Sequence, residues 1–252
     1  MGKIVAFANQ KGGVGKTTTC INLCAALAET GARVLLCDMD PQGNATSGMG
    51  IDKNRDAPNM YSVLIEGVDT AGAIMKTPYG DVLPSNKILS GAGVELVMMQ
   101  GREHVLRNVL SSVRDNYDYI LIDCPPSLEM LTLNSLCAAD SVLIPVQCEY
   151  YALEGLSDLM STIRMIKKSL NPVLEIEGVL LTMYDARTNF SLQVVAEIKK
   201  YFKQKIYNVS IPRNVRLAEA PSHGKPIMQY DRLSRGSHAY LELAKEFLKR
   251  NA

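Results

Sequence analysis

The chain has 252 residues, of which 47% are apolar and 21% are charged, and its formal net charge is +1. This is enough material to bury one large core, so we expect a single domain over residues 1–252. The sequence opens without a charged segment before a cleavage site, and no apolar run reaches about 18 residues, which argues against secretion or a membrane span. We therefore expect a cytoplasmic protein.

Apolar strand-like runs alternate along the chain with segments of helical period. The runs are continuous in Val, Ile and Leu, which is typical of parallel strands buried on both faces. Helices must then cover each face, so we predict an α/β fold with a doubly wound, mostly parallel sheet flanked by helices. The predicted strands are 4–8, 34–37, 119–122, 142–146 and 179–182, and the clearest helices are 17–28 and 153–169.

The six cysteines form neither a disulfide framework nor a zinc-binding pattern. All of them lie inside apolar runs, and none belongs to a Cys-x-x-Cys pair, so a reducing compartment fits best. They are Cys20, Cys24, Cys37, Cys124, Cys137 and Cys148.

A glycine-rich loop follows the first predicted strand and opens the first predicted helix. Glycines let successive backbone N–H groups point at an anion, and the helix N-terminus adds its dipole. Lys16 is placed to neutralise phosphate oxygens, Thr17 to enter the shell of a magnesium ion, and Thr18 to bond further phosphate oxygens. The predicted nucleotide-binding residues here are Lys11, Gly12, Gly13, Val14, Gly15, Lys16, Thr17 and Thr18.

The loop departs from the common P-loop pattern, because Gln10 stands where a glycine is expected and a further lysine, Lys11, stands at the entrance. The box Lys-Gly-Gly-Val-Gly-Lys-Thr-Thr resembles the deviant Walker A motif of the ParA/MinD family of ATPases. In that family the first lysine reaches across a dimer interface to the partner's nucleotide. The resemblance therefore implies that Lys11 is a trans-acting catalytic residue beside the catalytic Lys16, since such a cation stabilises charge on the transferring phosphoryl group.

Three acids follow predicted strands. Asp38 and Asp40 stand in Asp-Met-Asp-Pro-Gln-Gly-Asn, which resembles the family's switch I segment, and Asp123 opens Asp-Cys-Pro-Pro, which resembles its switch II. The resemblance implies that Asp40 is catalytic and positions or activates the attacking water, while Asp38 supports the magnesium region. Asp123 has the position of a Walker B acid, so Thr17, Asp38 and Asp123 are the predicted Mg²⁺ residues.

The nucleotide base is assigned through the same resemblance, which implies that Met183, Pro212 and Arg213 contact it. The run Thr-Met-Tyr-Asp at 182–185 also resembles the Asn-Lys-x-Asp code for guanine. The choice of base therefore depends on the family, and we expect ATP rather than GTP.

The C-terminal quarter is basic: residues 186–252 carry 13 Lys and Arg against 5 Asp and Glu, whereas residues 1–185 carry 14 against 21. The segment 211–226 resembles the chromosomal Soj-type ParA proteins, which implies that Arg187 and Arg216 contact the DNA backbone. Cations without a recognition helix suit binding to double-stranded DNA without sequence readout. The lysines of the predicted helix 191–205 fit a solvated surface equally well.

The resemblance also implies the partners and the role. The protein is expected to form a homodimer with ATP, to bind nonspecific DNA on the nucleoid, and to be stimulated by a ParB-type centromere-binding protein. No membrane partner is expected. The predicted function is an ATP-dependent switch that partitions chromosomes or plasmids.

A MinD-like membrane role is the main alternative, and it needs a C-terminal amphipathic helix with a basic polar face. An apolar stripe is present here, but the polar face mixes acidic and basic residues, which favours packing against the core. A binding scaffold without turnover also stays open, because catalysis depends on a geometry that only the dimer completes. The stripe consists of Tyr240, Leu241, Ala244, Phe247 and Leu248.

Overall fold

A parallel sheet forms the centre of the molecule in the computed structural model, which describes residues 1–149, 152–185 and 189–252. Its strands are β1 (Lys3–Phe7), β2 (Val34–Asp38), β3 (Asp81–Leu83), β4 (Tyr119–Asp123), β5 (Ser141–Gln147) and β6 (Glu175–Thr182). They lie in the order β3-β2-β4-β1-β5-β6, and each neighbouring pair is parallel. The predicted strands are thereby confirmed; β6 begins earlier than predicted, and β3 was not predicted.

Helices connect these strands and cover both faces of the sheet, which confirms the predicted fold class. The first half of the chain supplies α1 (Lys16–Glu29), α2 (Asn44–Gly48), α3 (Met60–Leu64), α4 (Thr70–Ala73), α5 (Leu89–Glu95) and α6 (Val105–Ser111). The second half supplies α7 (Met130–Ala138), α8 (Ala152–Ser169), α9 (Asn189–Phe202), α10 (Val215–Glu219), α11 (Ile227–Tyr230) and α12 (Arg235–Arg250). Short 3-10 turns lie at Leu96–Met98, Arg114–Asn116, Lys203–Lys205 and Ala220–His223.

Two apolar cores lie on opposite faces of the sheet. Side chains alternate along a strand, so Ile4 and Ala6 of β1 belong to one core while Val5 and Phe7 belong to the other. Helices α3, α5, α6, α7 and α8 contribute to the first core, and α1 and α12 to the second. Because both faces are covered, the strands are apolar throughout, as the sequence indicated.

The last helix, α12, packs against the core. Tyr240, Ala244 and Phe247 of the predicted stripe are at most 1% exposed, and Leu243 is buried with them. The hydroxyls of Tyr240 and Thr19 lie 3.2 Å apart and form a hydrogen bond that joins α12 to α1. The prediction that this stripe docks on the core is confirmed. Over the part of the chain that the structure describes, no helix is long and apolar enough to cross a membrane.

A buried carboxylate, Glu177, joins several elements at the edge of the sheet where the strands begin. It lies where the β5–β6 register shifts, and only 7% of it is exposed. One oxygen accepts hydrogen bonds from Lys3 Nζ at 2.6 Å and Ser141 Oγ at 2.8 Å, and the other from Asn251 Nδ2 at 2.8 Å and Tyr207 Oη at 3.4 Å. Burial acts to raise the pKa of Glu177, but these donors outweigh it and lower that pKa below its usual value.

Candidate nucleotide site and basic surface

The glycine loop occupies residues 8–15, between β1 and α1. Gly13 and Gly15 have φ angles of 74° and 86°, in the left-handed region that L side chains rarely adopt. Gly15 is the residue before the first turn of α1, so the loop delivers its backbone N–H groups to the positive end of that helix. This backbone conformation is the one that the predicted phosphate loop requires.

Two polar side chains outside the motif hold the loop in place. The Asn9 side chain is 5% exposed; its Nδ2 donates to the Pro145 carbonyl at 2.7 Å, and its Oδ1 accepts from the Lys11 N–H at 3.0 Å. On the other side, Thr182 Oγ1 donates to the Val14 carbonyl at 2.8 Å. These contacts connect the loop to β5 and β6, and sequence reasoning missed both of them.

Lys16 is a buried cation close to several acids. The residue is 6% exposed, and its Nζ donates to the Lys11 carbonyl at 3.1 Å. Burial lowers the pKa of Lys16, while Asp123 and Asp40 act in the opposite direction. A neutral carbonyl is a weak partner for a buried ammonium group, so an anion within the loop can compete for it.

Asp123 is a carboxylate buried at the end of β4. It ends β4, next to Phe7 of β1 and Asp38 of β2 in the strand register, and it is 0% exposed. Among the described residues none forms a hydrogen bond with either of its oxygens. Burial and then the neighbouring Asp38 raise the pKa of Asp123 well above its usual value; the Thr17 hydroxyl lowers it, although it does not reach hydrogen-bonding geometry.

Asp38 and Asp40, by contrast, are engaged in the turn that follows β2. Asp38 Oδ2 accepts from the Thr46 N–H at 2.8 Å and from Thr46 Oγ1 at 2.7 Å, and its Oδ1 accepts from the Asp40 N–H at 3.1 Å. Burial raises the pKa of Asp38 to about 6, against these hydrogen bonds. Asp40 is 9% exposed and accepts from the Gln42 N–H at 2.9 Å.

The acids fit a magnesium ion that is held mainly by other oxygens. No group of three or more His, Cys, Asp and Glu within 1–149, 152–185 and 189–252 could hold a metal by itself. Mg²⁺ commonly keeps several waters and takes one or two carboxylates together with substrate phosphates. The unpartnered Asp123 with Thr17 beside it suits such a site, whereas Asp38 already holds the turn through Thr46.

Lys11 does not point into its own loop. Its Nζ forms an ion pair with Glu149 Oε2 at 2.7 Å, and the two side chains are 32% and 47% exposed. Glu149 follows β5 and is far from Lys11 in sequence, so no motif revealed it. The lysine is held at the surface of the site by its own chain.

The predicted base-contacting residues come together beside the loop. Met183, Pro212 and Arg213 line a cavity of about 290 Å³ that is also lined by Gly15 and Thr18. The two segments meet because the Tyr184 N–H donates to the Ile211 carbonyl at 3.0 Å. Met183 itself has φ 48°, an unusual conformation for a non-glycine residue and one that recurs at ligand sites.

The predicted DNA-binding arginines belong to the basic C-terminal quarter. Arg216 is the second residue of α10, and its side chain is 55% exposed. Its Nη1 pairs with Glu219 at 2.9 Å and its Nε with Asp231 at 3.4 Å. Arg187, the other predicted DNA-binding residue, lies outside the described residues. Of the lysines in the predicted helix 191–205, Lys200 pairs with Glu197 on the same helix.

Comparison with known proteins agrees with this geometry. A family model described as an AAA domain matches residues 2–176. The sporulation initiation inhibitor protein Soj of Bacillus subtilis is 60% identical over 248 residues, which cover 98% of each chain. The chromosome partitioning protein ParA of Myxococcus xanthus is 53% identical over 253 residues, which cover 100% of this chain and 89% of that one.

A solved structure gives the same result at the level of the fold. Cobyrinic acid a,c-diamide synthase from Mycobacterium smegmatis, with bound ATP analog and magnesium, superposes with a TM-score of 0.87 and 37% identity, covering 99% of this chain and 95% of that one. A parallel sheet whose first strand opens into a phosphate loop and helix defines a P-loop nucleoside triphosphatase. This chain belongs to the ParA/MinD family of deviant Walker A ATPases, within its Soj-type chromosomal group.

Proposed function

We propose that this chromosome-partitioning ATPase acts as a dimerising switch, which binds double-stranded DNA nonspecifically with ATP bound and leaves it after hydrolysis. ATP and Mg²⁺ are its cofactors, as in its family. The observation that carries the proposal is Asp123, a fully buried carboxylate without a hydrogen-bond partner among the described residues, close enough to Lys16 to influence its pKa. Such a group costs stability unless it is paired, so its presence here points to a ligand.

The residues of the site have distinct proposed roles. The backbone N–H groups of residues 12–18 bind the phosphates, and Lys16 exchanges the Lys11 carbonyl for phosphate oxygens. Thr17 and Asp123 would hold Mg²⁺, directly or through water, and the ion would neutralise charge on the phosphates. Asp38 keeps the turn after β2 in shape through Thr46, and this turn presents Asp40 to the attacking water.

Lys11 is the proposed link between dimerisation and hydrolysis. In the single chain it pairs with Glu149, but both side chains are partly exposed, and ion pairs of this kind are weak in water. Lys11 can therefore leave Glu149 for the nucleotide of a second copy, where its charge stabilises the transferring phosphoryl group. The cavity formed by Met183, Pro212 and Arg213 receives the adenine.

Arg216 and Arg187 are the proposed DNA contacts, on a C-terminal quarter that carries an excess of cations. Binding to backbone phosphates needs no sequence readout, and a dimer presents the surface twice, which raises the effective concentration of the second contact. On the family resemblance alone we further propose a ParB-type partner that stimulates hydrolysis, and a nucleoid location in the cytoplasm.

The test measures binding of a labelled DNA duplex of arbitrary sequence without nucleotide, with ADP, and with ATP and magnesium, over a series of salt concentrations. We expect tight binding only in the state with ATP and magnesium. The logarithm of the binding constant should fall linearly with the logarithm of the salt concentration, with a slope of about 0.9 for each phosphate contacted. Arg216→Glu should abolish this binding, whereas Lys245→Glu, which makes the same change of charge at an exposed position of α12, should not. DNA binding that is equal in all nucleotide states, or absent from all, would overturn the proposal.

A further inference from the structure

Arg216 is already occupied by carboxylates of its own chain. Its guanidinium directs Nη1 to Glu219 at 2.9 Å and Nε to Asp231 at 3.4 Å, so two of its donor groups face acids. The backbone around it is fixed, because the Asn214 side chain accepts from the Arg216 N–H at 2.8 Å and caps α10. The arginine is therefore held in one orientation between two acids.

Glu219 is anchored by a second contact. Its Oε2 also accepts from the Tyr230 hydroxyl at 3.1 Å, and the Tyr230 ring stacks on His223 with 4.9 Å between ring centres. The hydrogen bonds from Arg216 and then from Tyr230 lower the pKa of Glu219, so it stays ionised at neutral pH. An anchored Glu219 keeps its position when the arginine is drawn towards another anion.

A phosphate and a carboxylate make the same kind of paired contact with a guanidinium group. A DNA phosphate must therefore compete with Glu219 and Asp231 for Arg216. After the exchange, the two acids remain close to the phosphate and repel it. Each DNA contact made by a single chain is weakened in this way. Tight DNA binding then needs the additional contacts of a second chain.

We propose that Glu219 and Asp231 compete with DNA for Arg216 and thereby make DNA binding depend on the ATP-driven dimer. This inference rests on the proposed DNA-binding function and explains how a monomer with a basic surface avoids the DNA around it. The two acids lower the DNA affinity of each single chain without contacting the nucleotide.

The test uses Glu219→Gln, Asp231→Asn and the double substitution in the DNA-binding measurement described above. Glutamine keeps an acceptor for Tyr230 while removing the charge. We expect each single change to strengthen DNA binding about two- to fivefold, as suits exposed ion pairs, and the double change to allow binding without nucleotide. Glu242→Gln is the matched control, because it removes a charge from a similar pair with Lys245 on α12.

A double-mutant cycle with Arg216→Ala separates local competition from a general gain of positive charge. In the Arg216→Ala background, Glu219→Gln should give no more than the Glu242→Gln control. If wild type binds DNA only with ATP but both acid substitutions behave like the control, the inference is wrong and the proposed function stands. If wild type binds DNA in no state, the proposed function itself fails. Thermal unfolding verifies that each variant is folded. If Glu219→Gln does not fold, the test is made with Asp231→Asn.

Discussion

Asp123 and Glu177 are buried carboxylates in one sheet, and they differ in their hydrogen bonding and in the direction of their pKa shifts. Glu177 lies near the edge where strands begin and accepts four hydrogen bonds, which lower its pKa. Asp123 lies where β4 ends and has no hydrogen-bond partner among the described residues, so burial raises its pKa. One carboxylate stabilises the fold and the other costs stability. In a parallel sheet ligands bind beyond the carboxyl ends of the strands, and the unpaired acid lies at that edge.

The largest effect is expected from Asp123→Asn. Asp123 would help to hold Mg²⁺, which supplies several kcal/mol of charge stabilisation when bound, so weaker retention of the ion should lower ATP turnover roughly a hundred- to a thousandfold. Stability should stay equal or rise, because a buried unpaired charge is removed. Steady-state ATPase assays and urea unfolding check both parts. Near-normal turnover with magnesium would contradict the role of Asp123, and a marked loss of stability would contradict the contrast with Glu177.

The second prediction concerns Glu177→Ala, which removes an acceptor shared by Lys3, Ser141, Tyr207 and Asn251. We expect the free energy of unfolding to fall by about 2 kcal/mol, since buried polar groups lose partners. Nucleotide affinity of the folded protein should not change, because the residue lies at the opposite edge of the sheet. Urea unfolding and titration with a fluorescent ATP analog provide the measurements. A large change in affinity at unchanged stability would break the comparison.

The third prediction uses pH. The pKa of Glu177 is lowered on folding, so its stabilisation is present above the unfolded value of about 4.3 and is lost as pH falls through the folded pKa. The stability difference between wild type and Glu177→Gln should therefore shrink below about pH 4. For Asp123 the sign is reversed, because the folded pKa is raised, so Asp123→Asn should gain on wild type as pH rises above about 4. Urea unfolding of the three proteins from pH 3 to 8 measures both trends, and parallel curves would contradict them.

The smallest effect is expected from Glu149. Unlike Asp123 and Glu177, this carboxylate is about half exposed, and it forms an ion pair with Lys11. Glu149→Gln should free Lys11 and strengthen ATP-dependent dimerisation by up to about fivefold, the scale of an exposed ion pair. Sedimentation velocity with a nonhydrolysable ATP analog measures it. Glu175→Gln, which breaks the exposed pair with Lys167, is the control, and equal behaviour of the two variants would argue against the hold on Lys11.

The sequence predicts most of the sheet, because buried parallel strands are continuous apolar runs. It misses β3, whose three residues form a strand only where β2 offers an edge. It also places the start of β6 too late, because Glu177 interrupts the apolar run at the register shift. Both errors come from tertiary contacts that override the local pattern.

The candidate site is predictable where a motif is continuous. The loop, the acids after β2 and β4, and the base segments meet as the motifs indicate. The partners of those residues are not predictable, because they are distant in sequence: Asn9 with Pro145, Thr182 with Val14, and Lys11 with Glu149. Hydrogen bonds of this kind have no periodicity and appear only once the strands are in register.

The Thr182 contact has a consequence for local opening. Thr182 ends β6, the last strand of the sheet, and it holds the Val14 carbonyl of the phosphate loop. Edge elements open locally at lower free energy than central ones, so we expect the loop to open together with β6. Without nucleotide, the Gly15 amide, which belongs to the same peptide group as the Val14 carbonyl, should exchange with deuterium at the rate of β6 rather than of β1. A nucleotide bound to the loop should also stabilise β6. Amides of β6 that do not contact the nucleotide should then exchange more slowly when it is bound.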